Sequence, residues 1–233
     1  MTISIYDMDR TLTRRGTFVP WLAFWLRTEA PLRAVLLPVL LLPALAYQFG
    51  WIDRGRLKSW VHRIVIGGAV PMARVELAAT AFAAHILAND IFPGALASIA
   101  ADRALGRRLV IATASNAYYA TAIGAALGIA DVIATQSQRD AGRLLAAIDG
   151  ENCYGDAKAR MIAAWLDRNG LCDATWRFYS DHISDLPAFE AALASGGEAI
   201  VINASAALRT EAKRRGWPLF DWGQPAASLL EHA

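Results

Sequence analysis

Hydrophobic positions along the chain follow two rhythms. At the N-terminus Ile3-Ser4-Ile5-Tyr6 is a short apolar run that reads as a strand. From about Phe18 to Leu87 apolar residues recur at helical spacing, led by Trp21, Phe24 and Trp25 and broken at prolines and glycines, which predicts three or four helices. From about Pro93 short apolar runs alternate with helical stretches. Strands are predicted over 109–112, 131–134, 176–179 and 199–202, and helices over 117–127, 156–168, 186–194 and 206–215. Strand and helix in alternation predict an α/β protein with a doubly wound parallel sheet, whose sites lie at strand carboxyl ends. The helical stretch after the first strand is then an insertion that caps this edge. The expected division is a core of residues 1–16 and 91–233 with an all-helical cap over 17–90.

Composition narrows the picture. With 233 residues and 55% hydrophobic content the chain can bury a full core and is not disordered. The formal charge is only +2, and no basic run is interleaved with aromatics, so nucleic acid is not an expected partner. Cys153 and Cys172 lack the spacing of a zinc site or a disulfide framework, which fits a reducing cytoplasm. No basic region followed by an apolar one opens the chain, so no cleaved signal peptide is expected.

One segment stands apart. Residues 34–52 contain no charge, a span of 19 that just reaches membrane-crossing length, although Pro38 and Pro43 interrupt it. Arg27 and Arg33 precede it, Arg54, Arg56 and Lys58 follow it, and Trp21, Trp25, Trp51 and Trp60 lie nearby, as anchors do at bilayer interfaces. Two readings follow. Either the prolines divide the run into short helices that pack on each other and on the core, the favoured expectation, or the cap touches a membrane. The expected location is cytoplasmic, extended to the inner membrane by the second reading.

The chemistry is concentrated at predicted strand ends. Asp7 and Asp9 directly follow the first strand, and where the chain curls out of the sheet both can turn toward one pocket. Two carboxylates there suit phosphate chemistry: one ionised as nucleophile and metal ligand, the other holding the proton a leaving alcohol needs. A solvated strand end or a helix cap is the plainer account, but it leaves the following Thr11-Leu12-Thr13 unexplained. The second strand ends in Thr113-Ala114-Ser115-Asn116, a hydroxyl-bearing turn able to hold phosphoryl oxygens, with Thr113 and Ser115 competing for that role. Lys158 opens a helix and is one of three lysines in a chain that otherwise uses arginine; it could equally be an exposed residue paired with Asp156 or Glu151. Asp181 and Asp185 form a second acidic pair at a strand end, of the oxygen type that Mg²⁺ prefers. His62, His85, His182 and His232 read as structural or solvent-facing.

Taken together, Asp7-x-Asp9-x-Thr11-Leu12-Thr13, Thr113, Lys158 and Asp181-x-x-x-Asp185, with a helical insertion after the first motif, resemble the haloacid dehalogenase (HAD) superfamily. More narrowly the chain is similar to its IB subfamily of phosphoserine-phosphatase-like hydrolases, and the cap also resembles that of the C-type bacterial phosphatidylglycerophosphatase. The resemblance implies a phosphomonoesterase. In it Asp7 attacks phosphorus to give an aspartyl-phosphate, and Asp9 serves first as acid and then as base. It implies Mg²⁺ held by the Asp7 and Asp181 carboxylates and the Asp9 carbonyl, with Asp185 orienting a metal-bound water or Lys158. Thr113 and first-loop N–H groups would grip phosphoryl oxygens, and Arg10, Thr11, Ala114 and Ser115 would line the substrate.

Two departures bear on substrate. Arg10 replaces the usual small residue after the second acid, so it points outward, binds a further anionic group, or inhibits by pairing with Asp7. Gly16 stands where phosphoserine phosphatases carry the acid that reads the substrate ammonium, which disfavours an amino-acid substrate. The expected partner is therefore a small-molecule or lipid phosphate monoester. A non-catalytic phosphoryl-binding protein, its site blocked by Arg10, is the remaining reading.

Overall fold

The computed structural model describes residues 2–223, so His232 lies outside the described residues. In chain order it contains β1 (Thr2–Tyr6), α1 (Phe18–Thr28), a 3₁₀ helix (Pro31–Leu40), α2 (Leu41–Gln48), α3 (Arg54–Val65), β2 (Ala69–Pro71), α4 (Met72–Asn89) and α5 (Pro93–Ala104). There follow β3 (Arg108–Asn116), α6 (Ala117–Ala126), β4 (Asp131–Asp140), β5 (Arg143–Asp149), α7 (Asp156–Arg168) and β6 (Thr175–Ser180). The described chain closes with α8 (Leu186–Ala194), β7 (Glu198–Ile202), α9 (Ala206–Arg215) and β8 (Leu219–Phe220). The eight strands form one sheet in the order β2-β5-β4-β3-β1-β6-β7-β8. From β4 to β8 every pairing is parallel; β5 and β2 extend the sheet antiparallel at one edge.

Strand alternation explains why both faces are covered. Ile3 and Ile5 of β1, Val110 and Ala112 of β3, and Trp176 and Phe178 of β6 enter one apolar cluster, which α7, α8 and α9 complete with Ile162, Phe189 and Leu208. The intervening Tyr6, Ile111 and Tyr179 enter a second cluster on the opposite face. There they meet Tyr119 of α6, Phe82 of α4, and Trp21 and Trp25 of α1.

Most of the inserted stretch therefore shares its core with the sheet. Within it α4 packs on α6, and β2 pairs with β5. Residues 31–48 behave differently. Prolines do break the apolar run, into the 3₁₀ helix and α2, and these pack on α1, α3 and each other. Burial does not follow: no residue of the 3₁₀ helix and only Pro43 of α2 is buried. The expectation that this run packs away its apolar side chains is corrected.

The sequence pattern also assigned no strand to 135–149, where β4 continues and turns into β5. The turn places Ala141 at φ 44° and Gly142 at φ 74°, the paired left-handed conformation of a tight hairpin, without the Asn-Gly or Asp-Gly signal that usually marks one.

Candidate active site

Register sets the site. Tyr6 pairs with Ile111 on one side and Tyr179 on the other; β1 ends there, while β3 runs on to Asn116 beside β4 and β6 to Ser180 beside β7. Because β3 and β6 flank β1 on opposite sides, their connections diverge there and leave a crevice at the strand carboxyl ends. Asp7 and Asp181 emerge at its floor, whereas Thr113 is still in β3, fully buried beneath the cavity lining. The Asp7 N–H still donates to the Tyr179 carbonyl at 2.8 Å, after which the chain curls, with the Leu12 and Thr13 N–H groups both donating to the Met8 carbonyl at 3.0 Å.

Asp7 and Asp181 face each other. The buried Thr11 hydroxyl lies 3.4 Å from Asp7 Oδ2 and 3.5 Å from Asp181 Oδ1, so it sits between the two carboxylates. Lys158 reaches the cluster from the first turn of α7, which is capped by the preceding Gly155, a residue at φ 59° where a side chain would be strained. Its Nζ donates to Asp7 Oδ1 and to Asp185 Oδ2, both at 2.7 Å. Thus Lys158 is buried and pairs with neither Asp156 nor Glu151; Glu151 bonds Arg160 instead. Ser180 Oγ donates to the same Asp185 oxygen at 2.6 Å.

Three carboxylates, Asp7, Asp181 and Asp185, are thus buried around one ammonium. Burial raises Asp7 well above the ordinary carboxylate range, Lys158 pulls it down, and Asp185 and Asp181 push it up again. Asp181 is pushed up to about 6 by burial and then by Asp185. Lys158 is raised by Asp185 and Asp7 against the opposing effect of its own burial. Asp185 Oδ1 is buried with no hydrogen-bond partner among the described residues. An excess of buried negative charge with an unsatisfied oxygen suits a hard divalent cation. Among the described residues no three or more His, Cys, Asp or Glu side chains converge as a metal cluster. The implied Mg²⁺ set needs only two carboxylates and a main-chain carbonyl, and the facing Asp7 and Asp181 fit it.

Asp9 is held separately. Its Oδ1 accepts from the Thr17 N–H at 2.8 Å and the Thr17 hydroxyl at 2.7 Å, and its Oδ2 accepts from Ser115 Oγ at 2.8 Å. Tyr119 donates to that same Ser115 oxygen at 2.8 Å. Ser115, expected against substrate, is buried and spends its hydroxyl on Asp9, because the β3 end turns it toward the start of α1. Thr113 is buried as well, and its Oγ1 accepts from the Ser115 N–H at 3.1 Å. Thr11 likewise sits between the acids, while Ala114 lines the cavity.

Above this floor lies a cavity of about 880 Å³. Asp7, Asp9, Lys158, Asp181 and Asp185 form its polar end, and Phe18, Val19, Pro20, Phe24 and Phe82 form an apolar wall. Arg10, Arg15, Arg27 and Arg54 also line it. Arg10 adopts φ 64°, which explains why a small residue is usual there. Among the described residues it forms no ion pair, and Asp7 is engaged by Lys158, so Arg10 does not block the nucleophile position.

Sequence reasoning missed Thr17, the three further arginines and Lys58. Buried Lys58 donates from α3 to the Ala114 carbonyl and, at 2.9 Å, to Asn152 Oδ1, tying the insertion to the phosphate-side loop. The scarcity of lysine that singled out Lys158 would have flagged it. His182 caps a short turn by accepting from the Ser184 N–H at 3.2 Å, and His62 is buried, both in structural positions; His85 and His182 also line the cavity.

The profile of the haloacid dehalogenase-like hydrolase family matches residues 5–190, and the chain belongs to that family. A probable phosphatase of Mycobacterium tuberculosis H37Rv is 34% identical over 137 residues, 59% of this chain and 46% of that one. The chain therefore spans less than half the length of that relative. Protein CicA of Caulobacter vibrioides is 33% identical over 178 residues, 71% of this chain and 78% of that protein. Among solved structures, a Bordetella pertussis protein of unknown function superposes with TM-score 0.79 at 22% identity, over 95% of this chain and 98% of that one. A phosphoserine phosphatase caught as a phospho-aspartyl intermediate analogue gives TM-score 0.60 at 15% identity, over 99% and 97%. These two likenesses concern the fold.

Proposed function

We propose that this hydrolase is a Mg²⁺-dependent phosphomonoesterase acting on an organic phosphate through an aspartyl-phosphate at Asp7. The observation that carries the reading is the buried Asp7–Lys158–Asp185 chain with Asp181 facing Asp7. Names of relatives agree with it: one is a probable phosphatase, and a phosphoserine phosphatase shares the fold.

In the first step an Asp7 oxygen bonds to phosphorus and the bond to the leaving oxygen breaks, while Asp9 gives that oxygen its proton. In the second, Asp9 takes a proton from water, the water oxygen bonds to phosphorus, and the bond to Asp7 breaks. The Thr17 N–H and hydroxyl hold Asp9 Oδ1 and the Ser115 hydroxyl holds Oδ2, so the carboxyl is fixed in orientation at the cavity. Lys158 opposes phosphoryl charge and fixes Asp7, with Asp185 as its anchor. Thr113 has a hydroxyl proton to offer a phosphoryl oxygen. Mg²⁺ would be held by Asp7, Asp181 and the Asp9 carbonyl, and it would neutralise charge on the phosphoryl oxygens.

Gly16 lines the cavity without a carboxylate for a substrate ammonium, while four arginines line it. That favours a substrate bearing a second anionic group over an amino-acid phosphate. The apolar wall supports a second reading, a lipid headgroup phosphate hydrolysed by the same chemistry. A substrate panel covering phosphoserine, sugar phosphates, histidinol phosphate and phosphatidylglycerophosphate, run with and without Mg²⁺, separates the two. Turnover of p-nitrophenyl phosphate should require Mg²⁺ and vanish in Asp7→Asn; undiminished turnover in that variant rejects the assignment.

A further inference from the structure

We infer that the 3₁₀ helix and α2 form a docking face for an anionic lipid bilayer, lying in its interface and not crossing it. Eleven of the nineteen exposed large apolar side chains of the described chain fall within residues 32–51. Leu32, Val35, Leu41, Leu42, Phe49 and Trp51 are each about two-thirds exposed or more. Residues 31–48 form an 18-residue helical stretch, apolar enough for a membrane, of which only 6% is buried. Scattered exposed leucines are ordinary on a protein surface, but a contiguous patch of this kind marks an interaction site.

Charge selects the occupant. Residues 27–63 carry six basic and two acidic side chains, a net +4, whereas the whole chain carries +2, so the remainder sums to −2. Lys58 of that set is buried and turned to Ala114 and Asn152, so the positive charge beside the apolar face is carried by the exposed Arg27, Arg54, Arg56 and Arg63. Between the flanks, residues 34–52 are uncharged, and Tyr47, Gln48 and Trp51 are their only hydrogen-bonding side chains. A protein partner would meet about one hydrogen bond per 100–200 Å². An apolar centre with aromatic and arginine margins matches the layering of a bilayer interface containing anionic headgroups.

Geometry excludes a spanning rod. Both helical pieces are shorter than the ~20 residues a crossing needs, and both pack on α3, which carries Arg54, Arg56 and Arg63 and would be drawn into hydrocarbon. The cavity reaches this face, because Arg27 and Thr28 end α1 just before it and Arg54 begins α3 just after it, and all three line the cavity. Only this last consequence, delivery of membrane-borne phosphates to the cavity mouth, rests on the proposed function.

Flotation with vesicles separates docking from catalysis. The purified full chain should float with phosphatidylethanolamine/phosphatidylglycerol vesicles, float poorly with phosphatidylcholine alone, and lose part of its binding in about 0.5 M salt. The Asp7→Asn variant should float as well as the unaltered chain. Combined Leu41→Ser, Leu42→Ser and Phe49→Ser should leave the circular dichroism spectrum unchanged and weaken partitioning about tenfold or more, whereas Leu77→Ser on α4 should not. No flotation, or equal flotation by the triple variant, overturns the inference. So does a soluble dimer that the triple variant splits without any vesicle binding, which would assign the face to a second copy.

Discussion

The cavity floor and the helical pair over 31–48 depart in opposite directions from the usual partition of side chains. At the floor, Asp7, Asp181, Asp185 and Lys158 are charged groups held out of water. Along the helical pair, leucines and aromatics are left in it. Neither arrangement favours the isolated fold: buried charge costs several kcal/mol per uncompensated ion, and each exposed leucine forgoes about 2 kcal/mol of burial. The first is compensated in part by Lys158, and a cation would complete it. The second has no compensation among the described residues. Charge without a counter-charge and apolar surface without cover both point to a partner, and the chemistry of the surplus says which kind.

The floor is the easier half to break. Asp7→Asn should lower Mg²⁺-dependent turnover by at least about 10³-fold, measured on p-nitrophenyl phosphate. Lys158→Met should lower turnover nearly as far and reduce unfolding free energy at neutral pH by about 3 kcal/mol, because it leaves three facing carboxylates. Urea titration at pH 5 should show a smaller loss, since the acids there take up protons.

Stability across a pH series separates the buried acids from His62 by the sign of the slope. Asp181 moves from 3.8 up to about 6 on folding, so between these values the folded state binds more protons and stability falls as pH rises; Mg²⁺ should flatten this slope. His62 has the opposite sign. Burial pushes it from 6.5 down to about 4, so the unfolded state binds more protons and stability is lost as pH falls through that window, by up to about 3 kcal/mol. With Mg²⁺ present, His62→Gln should remove most of the remaining acid-side loss in urea titrations.

Arg10→Gly should have the smallest effect. Relief at φ 64° and the added freedom of the unfolded chain oppose each other, so the melting temperature should move by only a few degrees. KM for phosphoglycolate, which carries a second anionic group, should rise roughly fivefold relative to p-nitrophenyl phosphate with kcat kept. Equal changes on both substrates would remove Arg10 from substrate reading.

Much of the floor was legible because its parts follow strands whose alternation is unambiguous: β1, β3, β6 and β7 are each buried on both faces. Asp7, Asp9 and Asp181 come directly after such runs. The edge hairpin was not legible, since β4 beyond Thr135 is polar and mostly exposed, and Leu144-Leu145-Ala146-Ala147 carries no strand signature. Thr17 was invisible for another reason. Its contact with Asp9 depends on how the first loop closes, and no periodicity encodes that. The helical pair was legible as an apolar, proline-broken run, but its exposure depends on what α1 and α3 leave uncovered.

Every role proposed at the floor depends on phosphorylation of Asp7, which chemical trapping can detect. The protein is given p-nitrophenyl phosphate and Mg²⁺, quenched with borohydride, which reduces an acyl phosphate to an alcohol, and mapped by peptide mass spectrometry. Conversion of Asp7 to homoserine, dependent on substrate, is the predicted result. Steady phosphate release with Asp7 unmodified and another residue trapped would contradict it.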